Sequence, residues 1–509
     1  MATRREIVDP EFPDMQDSEY CVVRIRRADL AQLEKHLFQR YPYREWGTFF
    51  RFGFRRTSWG IAICFVDGLW PQAGELDRQS DLTHFHEDYA RRAFHAAANS
   101  EGLAVGVIHS HPVGCHVSPS ELDDDMDSYF GQEVSSFSNG NPYCSLILER
   151  SDRGGLTFSG RVFDRGRWLP VHALISVGQQ VDRWQSNLLP IDERIPEPYE
   201  ESTTDRLQAI MGAPSKERLA KAVVGVIGCS GTGSPAIEVL ARAGVGEFIL
   251  LDPDKLSPSN LERVHGSEYR HLQFEQMPFK VALMRELILS INPNAKITAL
   301  AGNLLHANAV DEVVRCDLIL GCTDSVHGRV ALDELSRHYL VPVIDVGVVM
   351  DGSSGQVTEQ LVNVSWFCPG ESCIFCRGAI NTDHMNYELM SDAERSTKEQ
   401  AAADAILRGD EVDQYWKGRP PQLHTVGYLT TMAGSLMAGY VEGILTGCFQ
   451  MPHVEMQFDI GHPYFGFVES PLRVRNDCNC QQHLGWAGAA TPFKNVSLPP
   501  HWSQRAVRL

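Results

Sequence analysis

Two patterns of hydrophobic and polar positions follow one another along the chain. In the first, strand-like and helix-like stretches are mixed: CVVRIRR alternates as a strand does, ADLAQLEKHLFQRY carries apolar residues at helical spacing, and AVGVIHSH is a short buried-strand pattern that ends in polar residues. In the second, strands and helices alternate regularly, as in AVVGVIG, SPAIEVLARAGV and EFILLD. Further strands are predicted in KITALAGN, CDLILGC and VPVIDVGV. Regular alternation of this kind predicts a parallel, doubly wound sheet.

With 509 residues, the chain is too long for one ordinary core. The change of pattern predicts an α/β domain with a mixed sheet over residues 1–176 and a Rossmann-like, doubly wound domain over residues 201–485. Between them, residues 177–200 include many prolines and acidic residues, which is typical of a flexible linker. Residues 486–509 have little periodicity and are predicted to be a C-terminal tail.

The composition, at 43% hydrophobic and 22% charged residues, is that of a folded protein. No apolar run reaches the roughly 18 residues that a bilayer requires, and the N-terminus lacks the apolar stretch of a secretory signal. We therefore expect a cytoplasmic protein without a membrane partner, in which the 13 cysteines are buried thiols, metal ligands or nucleophiles. The net charge of −19 argues against a nucleic-acid partner, because no basic surplus is available to neutralise phosphates.

The polar end of AVGVIHSH carries candidate metal ligands. His109 and His111 are two residues apart, so their side chains project from the same side of a strand, and Asp123 follows beyond a turn-forming SPS sequence. Two imidazoles and one carboxylate leave a tetrahedral zinc ion one open position for water, whose pKa zinc lowers towards neutrality. Ser120 is a candidate to place a hydroxyl beside a developing oxyanion.

The series H-x-H-P followed by S-x-x-D resembles the motif of the JAB/JAMM zinc isopeptidases. The resemblance covers the N-terminal domain and implies a catalytic zinc ion held by His109, His111 and Asp123. The family also uses an upstream glutamate as general base, and the matching position in REWGTFF nominates Glu45. The alternative is that the histidines are ordinary strand-end residues and that Glu45 is a surface carboxylate.

A glycine-rich turn lies between the first strand and the first helix of the second pattern. Gly228, Gly231 and Gly233 form G-x-x-G-x-G. Glycine lets a phosphate approach the backbone closely, and a helix N-terminus favours its negative charge. The turn alone equally suits a dinucleotide dehydrogenase, and Asp252 at the end of the next strand suits ribose hydroxyls in either case.

The segment LLDPDKLSPSNLERV separates these alternatives. It resembles the signature D-x-D-x-(V/L)-x-x-S-N-L-x-R of the ThiF/MoeB and ubiquitin-activating family, which implies ATP and Mg²⁺ as cofactors and the adenylation of a protein's C-terminal carboxylate. The resemblance assigns nucleotide binding to the three glycines and to six further residues, namely Asp252, Asp254, Asn260, Arg263, Lys280 at the phosphates and Asp324 at the Mg²⁺ ion. The alternative is a noncatalytic Rossmann-like domain with surface charges.

Arg206, in DRLQAIMG, resembles the N-terminal arginine of this family, which reaches an ATP site and often that of a partner subunit. The resemblance therefore implies a catalytic role for Arg206 beside Arg263 and Lys280. Because the family dimerises through its activating domain, it also implies a homodimer.

Two pairs of cysteines are candidate ligands of a structural zinc ion. Cys373 and Cys376 form C-x-x-C, and Cys478 and Cys480 form C-x-C. Four thiolates complete a closed zinc site, and the ThiF/MoeB family has such a tetrad, usually as two C-x-x-C pairs. Because the second pair is one residue shorter here, Cys368 or His483 is an alternative ligand. Buried thiols without a metal are the remaining alternative.

The crossover segment, where many thioester-forming relatives carry a cysteine, has none between Arg377 and Gly447. Cys448 follows a helical stretch and is expected to be buried, while Cys229 and Cys322 lie beside the nucleotide motifs. We therefore expect the chain to stop at the adenylate and to hand it to another protein. An unconventional nucleophile is the alternative.

The two resemblances together imply one substrate, a ubiquitin-like, β-grasp protein that ends in glycine. The first hypothesis is a bacterial-type conjugation pathway, in which the N-terminal domain processes or deconjugates this protein and a conjugating-enzyme-like protein is a further partner. The second is the activation and processing of a sulfur carrier in biosynthesis. The third is a noncatalytic scaffold that binds a ubiquitin-like protein.

Overall fold

A computed structural model of the chain describes residues 19–77, 83–100, 102–113, 117–138, 140–150, 155–189, 203–353, 355–380, 382–410, 425–461, 473–490 and 505–509. These residues form two β-sheets, one in each half of the chain, with helices packed on both. The fold is α/β, as the alternating patterns predict. Short 3₁₀ helices cover Phe38–Arg40, Pro258–Asn260, Tyr269–Gln273 and Asn479–Gln481.

The first sheet is mixed, as predicted. Its strands are β1 (Tyr20–Arg26), β2 (Gly47–Thr57), β3 (Gly60–Leu69), β4 (Ala104–Ser110), β5 (Tyr143–Arg150), β6 (Leu156–Asp164), β7 (Arg167–Pro170), β8 (Ala173–Val177) and β9 (Val181–Gln185). They lie in the order β7-β6-β5-β4-β2-β3-β1-β8-β9. β1 pairs in parallel with β3 and β8, and β4 with β5, whereas the other neighbours are antiparallel.

Three helices accompany this sheet: α1 (Arg27–Leu37), α2 (Glu87–Ala98) and α3 (Glu121–Phe137). One face of the sheet, which includes Val23 and Ile63, packs with Leu30 and Leu33 of α1. The opposite face is divided between two coverings. Helices α2 and α3 cover the part that belongs to β2 and β4, whereas the part that belongs to β1, β3 and β8 packs against the second half of the chain.

The second sheet has a parallel centre and antiparallel edges. Its strands are β10 (Val223–Ile227), β11 (Glu247–Leu251), β12 (Lys296–Ala301), β13 (Leu318–Gly321), β14 (Val343–Ser353), β15 (Gln356–Phe367), β16 (Glu455–Asp459) and β17 (Val507–Arg508). Their order is β16-β15-β14-β13-β10-β11-β12-β17. The five strands from β14 to β12 in this order are parallel, and β15, β16 and β17 are antiparallel to their neighbours. The prediction of a parallel doubly wound sheet therefore holds for the centre only.

Nine helices surround the second sheet or follow it in the described part of the chain. They are α4 (Asp205–Met211), α5 (Pro214–Lys221), α6 (Gly233–Arg242), α7 (Lys280–Ile291), α8 (Ala307–Val313), α9 (Val326–Tyr339), α10 (Thr382–Leu389), α11 (Asp392–Arg408) and α12 (Gly427–Thr446). Within the described residues, none of the helices combines the length and the apolar character needed to span a bilayer.

The expected linker over residues 177–200 begins later than predicted. β9 lies inside this range and pairs antiparallel with β8, and the carbonyl of Gln179 accepts a hydrogen bond of 3.1 Å from the amide of Met451. The remainder of the predicted linker, from residue 190, lies outside the described residues. The sequence VDRWQ did not indicate strand β9, because this short edge strand has only one fully buried position, Val181, and therefore shows no alternation of apolar and polar residues.

The predicted C-terminal tail over residues 486–509 packs in part on the rest of the protein, whereas residues 491–504 lie outside the described residues. Ala487 is fully buried, and β17 adds to the edge strand β12. An edge strand carries unpaired amides and carbonyls, so even two residues can dock on it through backbone hydrogen bonds that leave little periodicity in the sequence.

The two domains share one apolar core. Val22, Cys64 and Ile175 of the first sheet belong to the same buried cluster as Val224 and Leu318 of the second. Polar contacts cross the same boundary. The buried Arg24 donates to the carbonyl of Cys316 at 2.9 Å, and Arg55 pairs with Asp311 at 2.7 Å. The sequence interpretation of two domains joined only by a flexible linker is therefore incomplete, because the domains also pack directly on each other.

Asp317 is the acidic residue at the centre of this interface. It is 1% exposed, pairs with Arg183 of β9 and accepts a hydrogen bond of 2.9 Å from the amide of Val223. We expect Asp317→Ala to lower the free energy of unfolding by about 3 kcal/mol, because the buried amide of Val223 and the partly buried guanidinium of Arg183 lose their acceptor.

Asp311→Ala is the matched control, since the Arg55–Asp311 pair is partly exposed and removal of such a pair costs about 1 kcal/mol or less. Urea denaturation followed by tryptophan fluorescence measures both variants. Equal losses in the two variants would contradict the assignment of Asp317 as the central contact.

Candidate functional site

Three predicted metal ligands meet at the carboxyl end of β4. His109 and His111 lie 3.3 Å apart between their Nε2 atoms. Asp123, in the first turn of α3, has Oδ1 3.1 Å from Nε2 of His109 and Oδ2 3.5 Å from Nε2 of His111. All three residues are buried, and the three donor atoms lie within 4.8 Å of one another.

Local sequence explains why Asp123 points into this cluster. Ser120 caps α3, and its backbone amide and its hydroxyl each donate to Oδ2 of Asp123 at 2.7 Å. The capping box thus fixes the carboxylate at the helix N-terminus. In this arrangement the Ser120 hydroxyl orients a ligand, and its predicted place beside an oxyanion stays a prediction.

The donor set fits a zinc ion. Ligand atoms at zinc distances of about 2.0–2.2 Å in a tetrahedron are about 3.3 Å from one another, which matches the three separations among His109, His111 and Asp123. Burial alone would raise the pKa of Asp123, but hydrogen bonds from His109 and His111 hold it well below its usual range.

Glu45 lies beside this cluster. Its Oε1 is 3.9 Å from Nε2 of His111, and its Oε2 accepts a hydrogen bond of 2.9 Å from the amide of Thr83. The backbone places it there, because Ser110 N donates to the carbonyl of Trp46 at 2.9 Å and so pairs the residue after Glu45 with the end of β4. The gap of 3.9 Å leaves the carboxylate within reach of a water molecule beside the histidines.

Sequence reasoning missed the residues that hold α3 behind the cluster. Arg161 donates to Asp127 at 2.7 Å and to the carbonyl of Asp123 at 3.2 Å, and Tyr143 donates to Asp127 at 2.8 Å. Asp127 is one helical turn after Asp123, and this spacing was the available signal. Its partners on β5 and β6 come together only through tertiary pairing.

The glycine turn lies where the central strands change direction of progression. From β10 the chain moves outwards to β11 and β12, and then crosses to β13 and β14 on the other side. Such a switch point opens a crevice at the carboxyl ends of the strands, where open α/β sheets bind ligands. Gly228 has φ +98°, and a Cβ on it would lie 2.4 Å from the carbonyl oxygen of Cys322 at the end of β13.

Close packing requires glycine at Gly233 and favours it at Gly231. A Cβ on Gly233 would lie 1.9 Å from the carbonyl oxygen of Gly228, and one on Gly231 would lie 3.1 Å from the hydroxyl of Thr430 on α12. α6 begins at Gly233, so its free amides point into the crevice. Thr430 was not singled out from the sequence, because nothing local marks a residue so distant as a neighbour of the turn.

Asp252 ties the glycine turn to the end of β11. One carboxylate oxygen accepts from the amide of Cys229 at 2.7 Å and the other from the amide of Asp254 at 2.8 Å. Burial raises the pKa of Asp252 even though Lys280 lies nearby. The structure thus gives Asp252 a loop-holding role, and its predicted contact with ribose stays a prediction.

Lys280, at the first position of α7, reaches the same rim. Its ammonium pairs with Asp254 at 2.8 Å, and its backbone amide donates to the carbonyl of Asp254 at 3.0 Å. Lys280 is 6% exposed, whereas the Asp254 side chain is 64% exposed. A buried cation beside an exposed carboxylate is suited to meeting a phosphate.

Asn260 and Arg263 lie on the segment that follows. The Asn260 side chain accepts from the amide of Ser257 at 3.1 Å and so stabilises a 3₁₀ turn. Arg263 donates to the hydroxyl of Thr425 at 2.7 Å, just before α12. Asp324 follows β13 and is exposed at the carboxyl edge, where a Mg²⁺ ligand is expected.

Arg206 does not join this group. It lies in the first turn of α4, and neighbouring Thr204 packs at Gly244, beyond the last residue of α6. The glycine turn is at the other end of α6, about 15 Å away for a helix of ten residues. The chain's own site thus has Arg206 at a distance, and its predicted role at a partner subunit's site stays a prediction.

Four cysteine sulfur atoms form a second cluster of metal-binding groups. Sγ of Cys373 lies 3.6 Å from that of Cys478, and Sγ of Cys376 lies 3.9 Å from that of Cys480. A tetrahedral zinc site with Zn–S distances of about 2.3 Å places its sulfur atoms about 3.8 Å apart, so these residues fit zinc. The alternative ligands are not needed, since Cys368 donates to the carbonyl of Gly178 and His483 packs on Trp486.

The cysteines near the glycine turn are poor nucleophiles. Cys229 and Cys322 are buried, and burial raises the pKa of both thiols well above the ordinary value. Of the cysteines that the structure describes, Cys448 is the exposed one, which corrects the expectation that it is buried. It lies 18 residues beyond Thr430 on the line of α12, about 27 Å from the glycine turn.

The match to a known family lies in the second domain. Residues 203–481, more than half of the chain, match the ThiF family. The chain belongs to the ThiF family.

Three curated relatives are similar to part of this chain. The chain is 32% identical over 146 residues to the molybdopterin-synthase adenylyltransferase of Haemophilus influenzae, and the aligned region covers 28% of this chain and 58% of the relative. It is 31% identical to the sulfur carrier protein ThiS adenylyltransferase of Escherichia coli, covering 28% and 54% respectively. It is 29% identical to the adenylyltransferase and sulfurtransferase UBA4 of Eremothecium gossypii, covering 32% and 35%.

The ThiF chain thus spans between about a third and three-fifths of the length of these relatives. Among solved structures, that of E. coli MccB with succinimide is 17% identical and covers 56% of this chain and 76% of that one, with a TM-score of 0.41. A likeness of that degree supports no functional argument.

The two clusters of metal-binding groups predict two zinc ions per chain. We expect His109→Gln to lower the zinc content from two ions to one, because two remaining donors hold zinc weakly. His84→Gln is the matched control, since His84 is exposed and lies outside the cluster. Atomic emission on the purified variants measures the metal. A content unchanged by His109→Gln would rule out zinc at the His109–His111–Asp123 cluster.

Proposed function

We propose that this ThiF-family chain uses ATP and Mg²⁺ to adenylate the C-terminal carboxylate of a ubiquitin-like carrier protein. The observation that carries the proposal is the crevice at the switch point, where the amides of the glycine turn and the buried ammonium of Lys280 face the same rim. Fixed amides and a buried cation favour a bound polyphosphate over a neutral ligand.

The reaction that this site supports is a substitution at the α-phosphorus of ATP. An oxygen of the carrier's C-terminal carboxylate forms a bond to that phosphorus, and the bond from the α-phosphorus to the bridging oxygen breaks. Pyrophosphate leaves with the electron pair of the broken bond, and the carrier is left as an acyl-adenylate. Lys280 and Arg263 offset the charge that accumulates on the leaving pyrophosphate. Mg²⁺, when held by Asp324, supplies further charge neutralisation.

Lys280 must exchange partners for this role. In the described structure its ammonium pairs with the exposed Asp254 at 2.8 Å. A triphosphate carries more charge than one carboxylate, so we propose that it replaces Asp254 at Lys280 when the nucleotide binds. Asp254 is then free to bind a ribose hydroxyl or a magnesium-bound water.

The carrier belongs, in this proposal, to the sulfur-carrier class. Two relatives are named as adenylyltransferases of molybdopterin synthase and of the sulfur carrier protein ThiS, and a third is named as an adenylyltransferase and sulfurtransferase. These names favour the sulfur-carrier hypothesis over the conjugation pathway that the sequence first suggested. The chemistry at the carboxylate is the same in both, so the difference lies in which protein receives the activated acyl group.

The acyl group is proposed to leave the chain without a thioester intermediate. Cys229 and Cys322 are buried thiols, and Cys448 is about 27 Å from the glycine turn. A thiolate attack on the adenylate needs an ionised sulfur in contact with the acyl carbon. The described cysteines do not meet that requirement, which supports transfer to a separate sulfur donor or acceptor protein.

A second activity is proposed for the His109–His111–Asp123 cluster, which is a metal-dependent hydrolysis of the bond that follows the carrier's terminal glycine. The three separations of about 3.3 Å and the position of Glu45 support it. Zinc, when bound there, supplies a Lewis acid for the scissile carbonyl and for water. Glu45 takes a proton from the attacking water and returns it to the leaving amine.

The assembly in this proposal is a homodimer in which Arg206 serves the neighbouring subunit's nucleotide. Arg206 is exposed and sits at the end of α6 opposite the chain's own glycine turn. A cation in that position lies away from the chain's own nucleotide, so in this proposal its contact is with a second copy's triphosphate.

Pyrophosphate exchange into ATP tests adenylation. With a sulfur-carrier protein that ends in glycine, we expect exchange that requires the carrier and that falls about 100-fold in Lys280→Ala, since a charge that stabilises the transition state is lost. Lys296→Ala is the matched control, because Lys296 is exposed at the start of β12, on the opposite edge of the sheet. Full exchange in Lys280→Ala would exclude the proposed site.

Cleavage of a carrier with a short C-terminal extension tests the hydrolase. We expect Glu45→Gln to lower the rate by about 100-fold or more while zinc stays bound, because the general base is removed and the three ligands remain. Glu87→Gln, an exposed glutamate on α2, serves as control. Mass spectrometry follows the product. An undiminished rate in Glu45→Gln would remove Glu45 from the mechanism, and cleavage independent of zinc would remove the metal.

A further inference from the structure

The segment that follows the last cysteine lies between the two domains. Its backbone amides donate hydrogen bonds to both domains. Gly485 N donates to the carbonyl of Arg337 at 3.0 Å and Ala487 N to that of His338 at 2.9 Å, both at the end of α9. Gly488 N then donates to the carbonyl of Phe54 on β2 of the first domain at 3.1 Å.

The contact is too close for side chains. A Cβ on Gly53 would lie 2.3 Å from the carbonyl oxygen of Gly485 and 2.4 Å from the carbonyl carbon of Trp486. Gly485 has φ +73°, and a Cβ on it would lie 2.5 Å from the carbonyl oxygen of Phe65 on β3. Ala487 is fully buried. We call residues 485–490 the seam segment, since they fill the junction between β2, β3 and α9.

The seam segment has no helix or strand of its own, so few backbone hydrogen bonds offset the conformational entropy that is lost when it is ordered. Fixing its ends therefore contributes to its order. The N-terminal end of the seam segment follows the four-cysteine cluster, since Cys480 lies five residues before Gly485. Gln481, next to Cys480, donates to the carbonyl of Glu371 at 2.9 Å, and Arg337 donates to the carbonyl of Cys480 at 3.5 Å.

We propose that the four-cysteine cluster is an interdomain clasp: a zinc ion held by Cys373, Cys376, Cys478 and Cys480 fixes the seam segment, and the seam segment fixes the first domain on the second. The inference rests on the fit of zinc to the cluster and not on either proposed activity. Zinc binding holds Cys478 and Cys480 to the loop of Cys373 and Cys376, and the residues after Cys480 then enter the junction in one register.

The seam segment contacts the first domain at a defined place. It meets β2 at Gly53 and Phe54, and its Ala489 packs near Gly102, just before β4. β2 and β4 are the two strands whose other ends carry Glu45, His109 and the start of the metal-ligand loop. Loss of the clasp therefore loosens the junction end of these strands first, while the shared apolar core keeps both domains folded.

Hydrogen exchange of backbone amides in the full chain, read by mass spectrometry, tests the clasp. In Cys480→Ser we expect one zinc ion fewer per chain and at least about tenfold faster exchange in the peptide that contains Ala487 and Gly488. Exchange in β5 should stay unchanged. His109→Gln is the matched metal control, because it is expected to lose the other zinc ion and to keep the seam segment protected.

Gly53→Ala tests the same junction from the first domain. Its Cβ meets backbone atoms that cannot move aside cheaply, so the seam segment should exchange about tenfold faster while the zinc content stays at that of the unaltered chain. Gly439→Ala is its control, since a Cβ on Gly439 meets nothing within 4 Å.

Loss of the second zinc ion with unchanged exchange of the seam segment would overturn the clasp, as would loss of protection in His109→Gln alone. If Cys480→Ser yields no folded chain, zinc is instead removed by chelation from the His109→Gln variant, and the same exchange is measured. Unchanged protection after that removal overturns the proposal, and faster exchange that readded zinc reverses supports it. None of these readouts depends on ATP turnover or on peptide cleavage.

Discussion

Val22, Cys64 and Ile175 lie on a face of the first sheet that the helices of the first domain leave uncovered. The second domain covers that face with its own buried residues, so the two halves form one core across the boundary. Burial of apolar surface of this extent is the main stabilising contribution to such an interface. The relative position of the two candidate sites follows from this packing, since neither sheet can turn without exposing the shared face.

Polar groups then restrict the interface to one arrangement. Arg24 is fully buried and reaches the carbonyl of Cys316, and Asp317 holds both Arg183 and the amide of Val223. A buried charge tolerates few geometries, because each lost partner leaves an uncompensated group. The seam segment adds a third restriction at the junction of β2, β3 and α9. Apolar area thus supplies most of the free energy, while the buried charges and the seam supply the register.

In each candidate site, a carboxylate accepts hydrogen bonds from backbone amides and so fixes the loop that carries the site. Asp123 accepts from Ser120 at the start of α3, and Asp252 accepts from the amides of Cys229 and Asp254. The bonds of Asp123 to Ser120 and of Asp252 to Asp254 are local in sequence, whereas that of Asp252 to Cys229 joins two neighbouring strands, and all of them orient these groups before any ligand binds. Preorganised groups avoid the cost of reorganisation when charge develops in a reaction.

Much of both sites was predictable because their determinants are local. The glycine turn needs small residues over a short stretch, a capping serine acts on the residue three positions later, and His109 and His111 share one side of a strand by the alternation of side chains. The prediction that His109, His111 and Asp123 meet, and that Glu45 lies beside them, agrees with the described geometry. The same holds for the four cysteines, even though one pair is shorter than usual.

Other predictions differ from the structure at positions where the local sequence pattern is weak and tertiary contacts decide the conformation. β9 and β17 were assigned to a linker and a tail, because short edge strands with few buried positions have no clear periodicity. Cys448 follows an apolar helix and was expected to be buried, yet the turn after Gly447 leaves it exposed. The hydrogen bond from Cys229 to Asp252 was not anticipated, because it depends on how near β11 lies to β10.

By itself, the sequence determined the alternating elements of the central strands, which residues are the candidate metal ligands and phosphate contacts, and the resemblance of the second domain to its family. These features depend on residue types and spacings within short stretches of the chain, so they can be recognised in the sequence alone. Only the tertiary structure decided that the domains share a core, that Arg206 lies away from its own nucleotide turn, and that residues 485–490 join β2 to α9. Those contacts join residues that are far apart in the chain. A single sequence does not show which distant apolar surfaces will pack against each other and be removed from water.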